Sequence, residues 1–373
     1  MKLNNKYIAN CITIFIVICS LCMISGCSNK KKIISQCEKE NNYGYTIECD
    51  NTLFYYHISP ETVDLYSYDI ESEKKNFIDN VANSEMEWSY FGPMHLIDGR
   101  IYYMKAASSY QTVDFYSIDP EKYEPQYEGT INNSVGNYEW IDYGERAGYL
   151  EIEMFKYDGS IYVFAQKNIY KLDKKKTSIV KSNIISMYID GDNIYYSALK
   201  DKKDNDDKVE PGGISRYDIN TGKSDEIVAA DDIERLNDTE LLQDSNVVVR
   251  NIIADDENIY FLGTSGDADI FRYNQTDEKS LSILTPDLQK RLTQKFRKYD
   301  DKIYYIAVGN RLHCVDLTTR ELNAVIDQAY IYAYNIYNDS LYYYKVTDNR
   351  NYPSEIRVYD LSKGTDMLID QFQ

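Results

Sequence analysis

One short pattern recurs seven times along the chain: a polar turn, an aromatic-rich strand, a second strand, and an Asp or Asn that opens the next turn. The first strands read Leu53-Phe54-Tyr55-Tyr56, Ile101-Tyr102-Tyr103, Ile161-Tyr162-Val163-Phe164, Ile194-Tyr195-Tyr196, Ile259-Tyr260-Phe261, Ile303-Tyr304-Tyr305 and Leu341-Tyr342-Tyr343-Tyr344. Each follows residues suited to a tight hairpin turn, such as Asp98-Gly99, Asp158-Gly159 or Asn338-Asp339. A sheet with one wet face alternates apolar and polar side chains, whereas these runs are bulky on both faces. Each such strand must therefore be covered from two sides.

The six intervals between Leu53 and Leu341 average 48 residues, a spacing that belongs to four-stranded propeller blades rather than helical solenoids. Blades stack face to face around an axis and bury both faces of their middle strands. Tyrosine, at 38 residues, suits such seams because the ring fills space and the hydroxyl finds a partner near the edge. The expectation is an all-β, seven-bladed β-propeller, with six or eight blades if the ends share strands. In the fourth repeat the strands are expected at 184–190, 193–198, 213–219 and 224–229, and the last outer strand at 366–370.

The elements Asp-Gly-x-Ile-Tyr-Tyr (Asp98 to Tyr103) and Tyr-Asp-x-x-Thr-Gly-Lys (Tyr217 to Lys223) resemble the tyrosine-rich propeller repeats of lipoproteins from low-GC Gram-positive bacteria, distantly like YWTD receptor-type propellers. The resemblance covers most of residues 45–373 and implies a fold and an extracytoplasmic place, not a reaction. The YWTD tetrapeptide is absent, so no receptor ligand residues carry over.

The N-terminus reads as an export address. Lys2 and Lys6 precede an apolar run from Ile8 to Met23, and Ile24-Ser25-Gly26-Cys27 follows. This resembles the bacterial lipoprotein signal, whose cysteine becomes the acylated N-terminus; the alternative is an uncleaved membrane anchor. The expected organisation is a signal peptide over 1–26, a lipidated polar tether over 27–44 and a propeller over 45–373. It would be held to the outer face of the cell membrane through acyl chains, palmitate among them, on Cys27. Cys11, Cys19 and Cys22 fall within the signal. Cys37 and Cys49 could close a short disulfide in an oxidising compartment, leaving Cys314 over; no C-x-x-C pair remains for zinc.

The formal net charge is −19, and the expected signal holds lysines but no acids, so the remainder is more acidic still. Such a surface repels nucleic acid, which is set aside as a partner.

The turns expected on the lower face are short. The longest connections, 78–95, 120–151, 199–212, 230–246, 285–296 and 346–354, all fall on the opposite, upper face, where binding residues concentrate on a rigid scaffold. Two of them share a pattern that holds both tryptophans: Glu87, Trp88, Tyr90 and Phe91 before the second blade, and Glu139, Trp140, Asp142 and Tyr143 before the third. Aromatic rings beside carboxylates can grip a sugar or anchor a protein; they can equally staple each loop to its blade. The acidic stretch 199–212 lacks the glycine and terminal glutamate of a calcium loop. No nucleophile elbow, zinc helix or phosphate loop is present, and His57, His95 and His313 belong to different blades. No cofactor, metal or catalytic residue is expected. The leading expectation is a non-enzymatic binding or scaffold module for a protein, peptide or envelope glycan. The alternatives are a carbohydrate-active enzyme with acids at the channel mouth and a sensor subunit of an envelope complex.

Overall fold

A computed structural model describes residues 34–36, 43–83, 92–106, 112–132, 152–165, 167–200, 210–237, 248–264, 268–276, 280–284, 296–307, 309–327, 329–347 and 352–372. Seven antiparallel sheets follow one another along the chain, each with a core of four consecutive strands. Blade 1 spans Thr46 to Ala82, blade 2 Met94 to Asn132, blade 3 Glu153 to Ser182 and blade 4 Ile184 to Val228. Blade 5 spans Val248 to Ile283, blade 6 Arg297 to Ile326 and blade 7 Tyr330 to Gln371. Among the described residues no blade borrows a strand from the other end of the chain, and blades 7 and 1 meet through side-chain packing and side-chain hydrogen bonds.

The second strand of each blade explains the bulky runs. In blade 6, Ile303 and Tyr305 pack into a cluster with blade 5, while Tyr304 and Ile306 pack into a cluster with blade 7. In blade 7, Leu341 and Tyr343 face blade 6, while Tyr342 and Tyr344 face blade 1. Alternate residues of a strand point to opposite faces, and here each face meets a different neighbour. The buried clusters accordingly join adjacent blades: 2 with 3, 3 with 4, 4 with 5, 5 with 6 and 6 with 7, with 7, 1 and 2 merged in the largest. Each fully buried Leu, Ile or Phe in such a seam contributes about 1.5–3 kcal/mol.

The turns hold the lower face together by a repeated device. Asp50, Asn51, Asp98, Asp158, Asp300 and Asn338 sit at positive φ in the turns between first and second strands, where short polar residues tolerate the left-handed region. The Asp or Asn closing each third strand caps the next turn. Its side chain accepts backbone N–H bonds two or three residues on: Asp69 from Ser72, Asp119 from Glu121, Asp173 from Lys175, Asp218 from Thr221, Asn274 from Thr276, Asp316 from Thr318 and Thr319, and Asp360 from Ser362 and Lys363. All seven blades carry the cap. In five of them the next backbone N–H then donates to a carbonyl of the inner turn, as Ile70 does to Asn51 and Leu361 to Asp339, so the two turns of one blade lock together.

Three segments depart from expectation. Pro125–Asn132, expected within the upper connection 120–151, is the outer strand of blade 2, reached by a short turn on the lower face. Within the expected tether, Ile34–Gln36 pairs antiparallel with the first strand of blade 3, and Tyr43–Gly44 with that of blade 2. Both add to the innermost strand, on the side of the central channel. Ile34 is in register with Tyr157, at the tight-turn end. The connection expected as a long upper loop over 230–246 begins instead with a helix, α1 (Ala230–Asn237), whose Ile233 is buried between blades 4 and 5.

Candidate functional site

Blades 7 and 1 meet through a dense polar clasp on an aromatic seam. The buried Tyr344 hydroxyl accepts from the Tyr56 N–H (2.9 Å) and donates to the Tyr45 carbonyl (2.9 Å). Asn335 donates to the Thr46 carbonyl (2.6 Å), and Tyr342 donates to Glu48. Further out, Asp370 of the last strand accepts from the Tyr55 hydroxyl (2.8 Å) and Lys75 (2.6 Å), with His57 Nδ1 at 3.2 Å. Burial pushes the Asp370 carboxyl up, but the bonds from His57, Lys75 and Tyr55 outweigh it and hold the group at about 2.

A carboxylate perturbed by Tyr, His and Lys resembles a catalytic constellation. Its recurrence at the next seam argues otherwise. Tyr103 of blade 2, the counterpart of Tyr55, donates to Asp79 of blade 1 (2.6 Å), and Lys105 bridges the same carboxylate (3.0 Å). Asp79 and Asp370 hold one position in the repeat: each is the fourth-strand partner of the apolar residue near the start of the third strand, Leu65 and Ile356 respectively. The grouping is a seam fastener built twice.

The same position in blade 3, opposite Ile169, is Lys181. Blade 4 still supplies the tyrosine, Tyr196, but its hydroxyl bonds Ser224 of its own blade (2.9 Å) instead of crossing the seam. The seam stands open as a cleft of about 500 Å³ that crosses all four strands of both blades. Its walls are Phe155, Tyr162 and Val180 from blade 3 and Met187, Ile194 and Tyr196 from blade 4, with Tyr157 and Tyr217 toward the tight-turn end and Lys181 on the fourth strand. Tyr162, Ile194 and Tyr196 are only half-buried, whereas the corresponding middle-strand residues of blades 1, 2, 5, 6 and 7 are buried. Ile179 and Val180 on the outer strand are 56% and 52% exposed. Size, apolar walls and a few polar groups are the ordinary attributes of a ligand site.

Glu87, Trp88, Tyr90, Phe91, Glu139, Trp140, Asp142 and Tyr143 lie outside the described residues, as do Cys27 and Cys37. Cys49, the expected partner of Cys37, directs its Sγ at the Asp50 carboxylate (3.8 Å), and Cys314 is buried, which pushes its thiol up. His95 is buried against the Ile152 carbonyl (3.1 Å), and His313 stacks on Tyr305. Acids gather at the tight-turn end of blades 4 and 5, where burial and then repulsion from Asp256 and Asp255 raise the Asp190 carboxyl. The cleft was missed because Ile194-Tyr195-Tyr196 reads like every other middle strand. The available signal was the lysine-rich run from Lys167 to Lys181 in an acidic chain.

No protein-family model matches the chain, and no curated protein matches it in sequence. Solved structures share its fold. The β-propeller domain of the trilobed protease from Pyrococcus furiosus, described as having an open velcro topology, is 11% identical with a TM-score of 0.55, over 90% of this chain and 99% of that one. A Mycobacterium tuberculosis puromycin-hydrolyzing peptidase is 9% identical with a TM-score of 0.55, over 89% of this chain and 54% of that one. An acylaminoacyl peptidase is 12% identical with a TM-score of 0.50, over 89% and 53%. The chain thus spans about half the length of these two peptidases, and at such identities the likeness to all three is one of propeller fold alone.

Proposed function

We propose that this chain is a lipid-anchored extracytoplasmic propeller that acts as a non-enzymatic binding module, and that the open seam between blades 3 and 4 is its binding site. The observation that carries the proposal is the cleft itself: a preformed apolar concavity on a scaffold whose corresponding middle-strand side chains in blades 1, 2, 5, 6 and 7 are buried. Preformed sites need little ordering on binding, which favours affinity. The carboxylates of Asp79 and Asp370, on either side of blade 1, serve closure, and the cleft itself offers a means of gripping. Support for the anchor comes from the lipobox-like Ile24 to Cys27 and the likeness to tyrosine-rich lipoproteins.

The peptidase neighbours suggest a propeller working beside a hydrolase, but fold alone supports that, and no residue of this chain argues for it.

Two measurements test the proposal. Cys27→Ala should move the chain from the membrane fraction to the medium and remove the acyl mass; retention in the membrane would overturn the anchor. A photo-cross-linking residue at Val180 should capture a partner in intact cells, while one at the comparably exposed Met367 on blade 7 should not. Equal adducts from both positions would overturn the cleft as the site.

A further inference from the structure

Resting on the cleft as the binding site, the charge around it points to what enters. Blade 3, from Glu153 to Ser182, carries seven lysines against Glu153, Asp158 and Asp173, so 7 − 3 = +4, in a chain of −19. Four of the lysines, Lys174, Lys175, Lys176 and Lys181, lie in the last turn and outer strand, where every described side chain but the Thr177 between them is exposed. Lys181 lines the cleft and, among the described residues, has no ion-pair or hydrogen-bond partner. At the same position the two fastened seams hold Asp79 and Asp370. The open seam is therefore the place in the repeat where the sign of the charge is reversed while the aromatic walls are kept.

We propose that the cleft takes an aromatic or branched apolar side chain of an acidic peptide, whose flanking carboxylate pairs with Lys181. Rings such as Tyr162, Tyr196 and Tyr217 supply wide, stiff apolar contact at small entropic cost. Exposed charges beyond about 8–10 Å are screened at physiological ionic strength, so the basic blade attracts locally despite the acidic ring. That acidic ring repels the same peptide everywhere else, which confines it to this seam. The outer strand Ser178–Ser182 is also an edge, able to add a strand of the peptide through its backbone.

The test uses the full-length lipidated protein in detergent and three probes: a fluorescent peptide with one Phe between aspartates, the same peptide with lysines for aspartates, and phenylacetate. Occupation of the cleft is read by protection of a Val180→Cys thiol from alkylation, located by mass spectrometry. The acidic peptide should protect it, the basic one should bind on the order of fivefold more weakly, and Lys181→Glu should invert that order. Because Lys181 is exposed, its replacement leaves packing intact. Protection by both peptides alike, or indifference to Lys181→Glu, overturns the acidic preference while leaving the cleft as a site. Protection by phenylacetate at the peptide's own concentrations overturns the peptide in favour of a free carboxylate. A thiol already protected without any probe, with a dimer in size-exclusion chromatography, assigns the cleft to a second copy of the chain. No protection by any probe, together with no cross-link from position 180, removes the binding site itself.

Discussion

Blades 7 and 1 meet over Tyr55, Tyr342 and Tyr344, which retain 0%, 4% and 1% of their exposure, whereas blades 3 and 4 meet over Tyr162, Ile194 and Tyr196, all still in partial contact with solvent. The middle strands supplying these side chains follow the same repeat. What differs is the outer strand of the preceding blade, where Asp370 draws in the hydroxyl of Tyr55 and Lys181 leaves that of Tyr196 to Ser224. Asp370 and Asp79 add a charge-assisted bond near the rim, worth about twice a neutral one, whereas the seams after blades 2, 4 and 6 close with Gly129, Val228 and Ile326 at that position, so the carboxylate tightens a seam without being required for closure.

Equal truncations in the two seams should have unequal effects. Tyr344→Ala removes a buried ring and leaves the Tyr56 N–H and Tyr45 carbonyl without their partner, and should cost about 3–5 kcal/mol. Tyr196→Ala removes a half-exposed ring and should cost about 1 kcal/mol. Urea unfolding followed by near-ultraviolet circular dichroism measures both. Similar losses would mean that the two seams are packed alike.

The next effect in size is set by pH. The Asp370 carboxyl is held at about 2, below its ordinary 3.8, because the bonds from His57, Lys75 and Tyr55 exceed the cost of burial. A depressed carboxylate stabilises the fold fully above its unfolded value, and that stabilisation is lost as pH falls from about 4 toward 2. The difference amounts to about 2 kcal/mol. Asp370→Asn should lose this amount at neutral pH and show a flatter decline in stability between pH 4 and 2. An unchanged acid limb in the variant would place the sensitive group elsewhere. No such dependence is expected from the seam between blades 3 and 4, where no carboxylate occupies the corresponding position.

Much of the ring was legible before its coordinates. Ile-Tyr-Tyr runs require cover on two faces, and the Asp that ends each third strand is a cap whose chemistry is local, as Asp316 and Asp360 demonstrate. The fourth-repeat strands fell within a few residues of Ile184–Asp190, Asn193–Lys200, Glu210–Asp218 and Lys223–Val228. The cleft was hidden for a physical reason. Whether Tyr196 finds a partner across the seam depends on the residue 15 positions earlier, Lys181, in an outer strand with five exposed side chains and no apolar period to mark it. Pairing of Ile34–Gln36 with blade 3 was hidden likewise, because three residues carry no pattern and an inner channel edge accepts any backbone. Length drew attention to the upper connections, but helix α1 turns part of one of them into regular structure and buries Ile233.

The smallest effect should come from giving the open seam the residue of the closed ones. Lys181→Asp places a carboxylate where Asp79 and Asp370 stand, facing a tyrosine already in the position of Tyr103 and Tyr55. The new bond must compete with the one Tyr196 makes to Ser224 and with solvation of an exposed carboxylate. Its net gain is therefore about 0.5–1 kcal/mol, near the lower end for a hydrogen bond. Lys181→Met deletes the charge without adding an acceptor and should yield no such gain, which separates a new bond from simple relief of like charge within blade 3. Hydrogen exchange at Ser178–Ser182 and Ile194–Tyr196 reads the outcome directly: slower exchange in Lys181→Asp alone is expected as the rim draws together. If Lys181→Met slows exchange as much, the seam is held open by charge repulsion and not by the want of an acceptor.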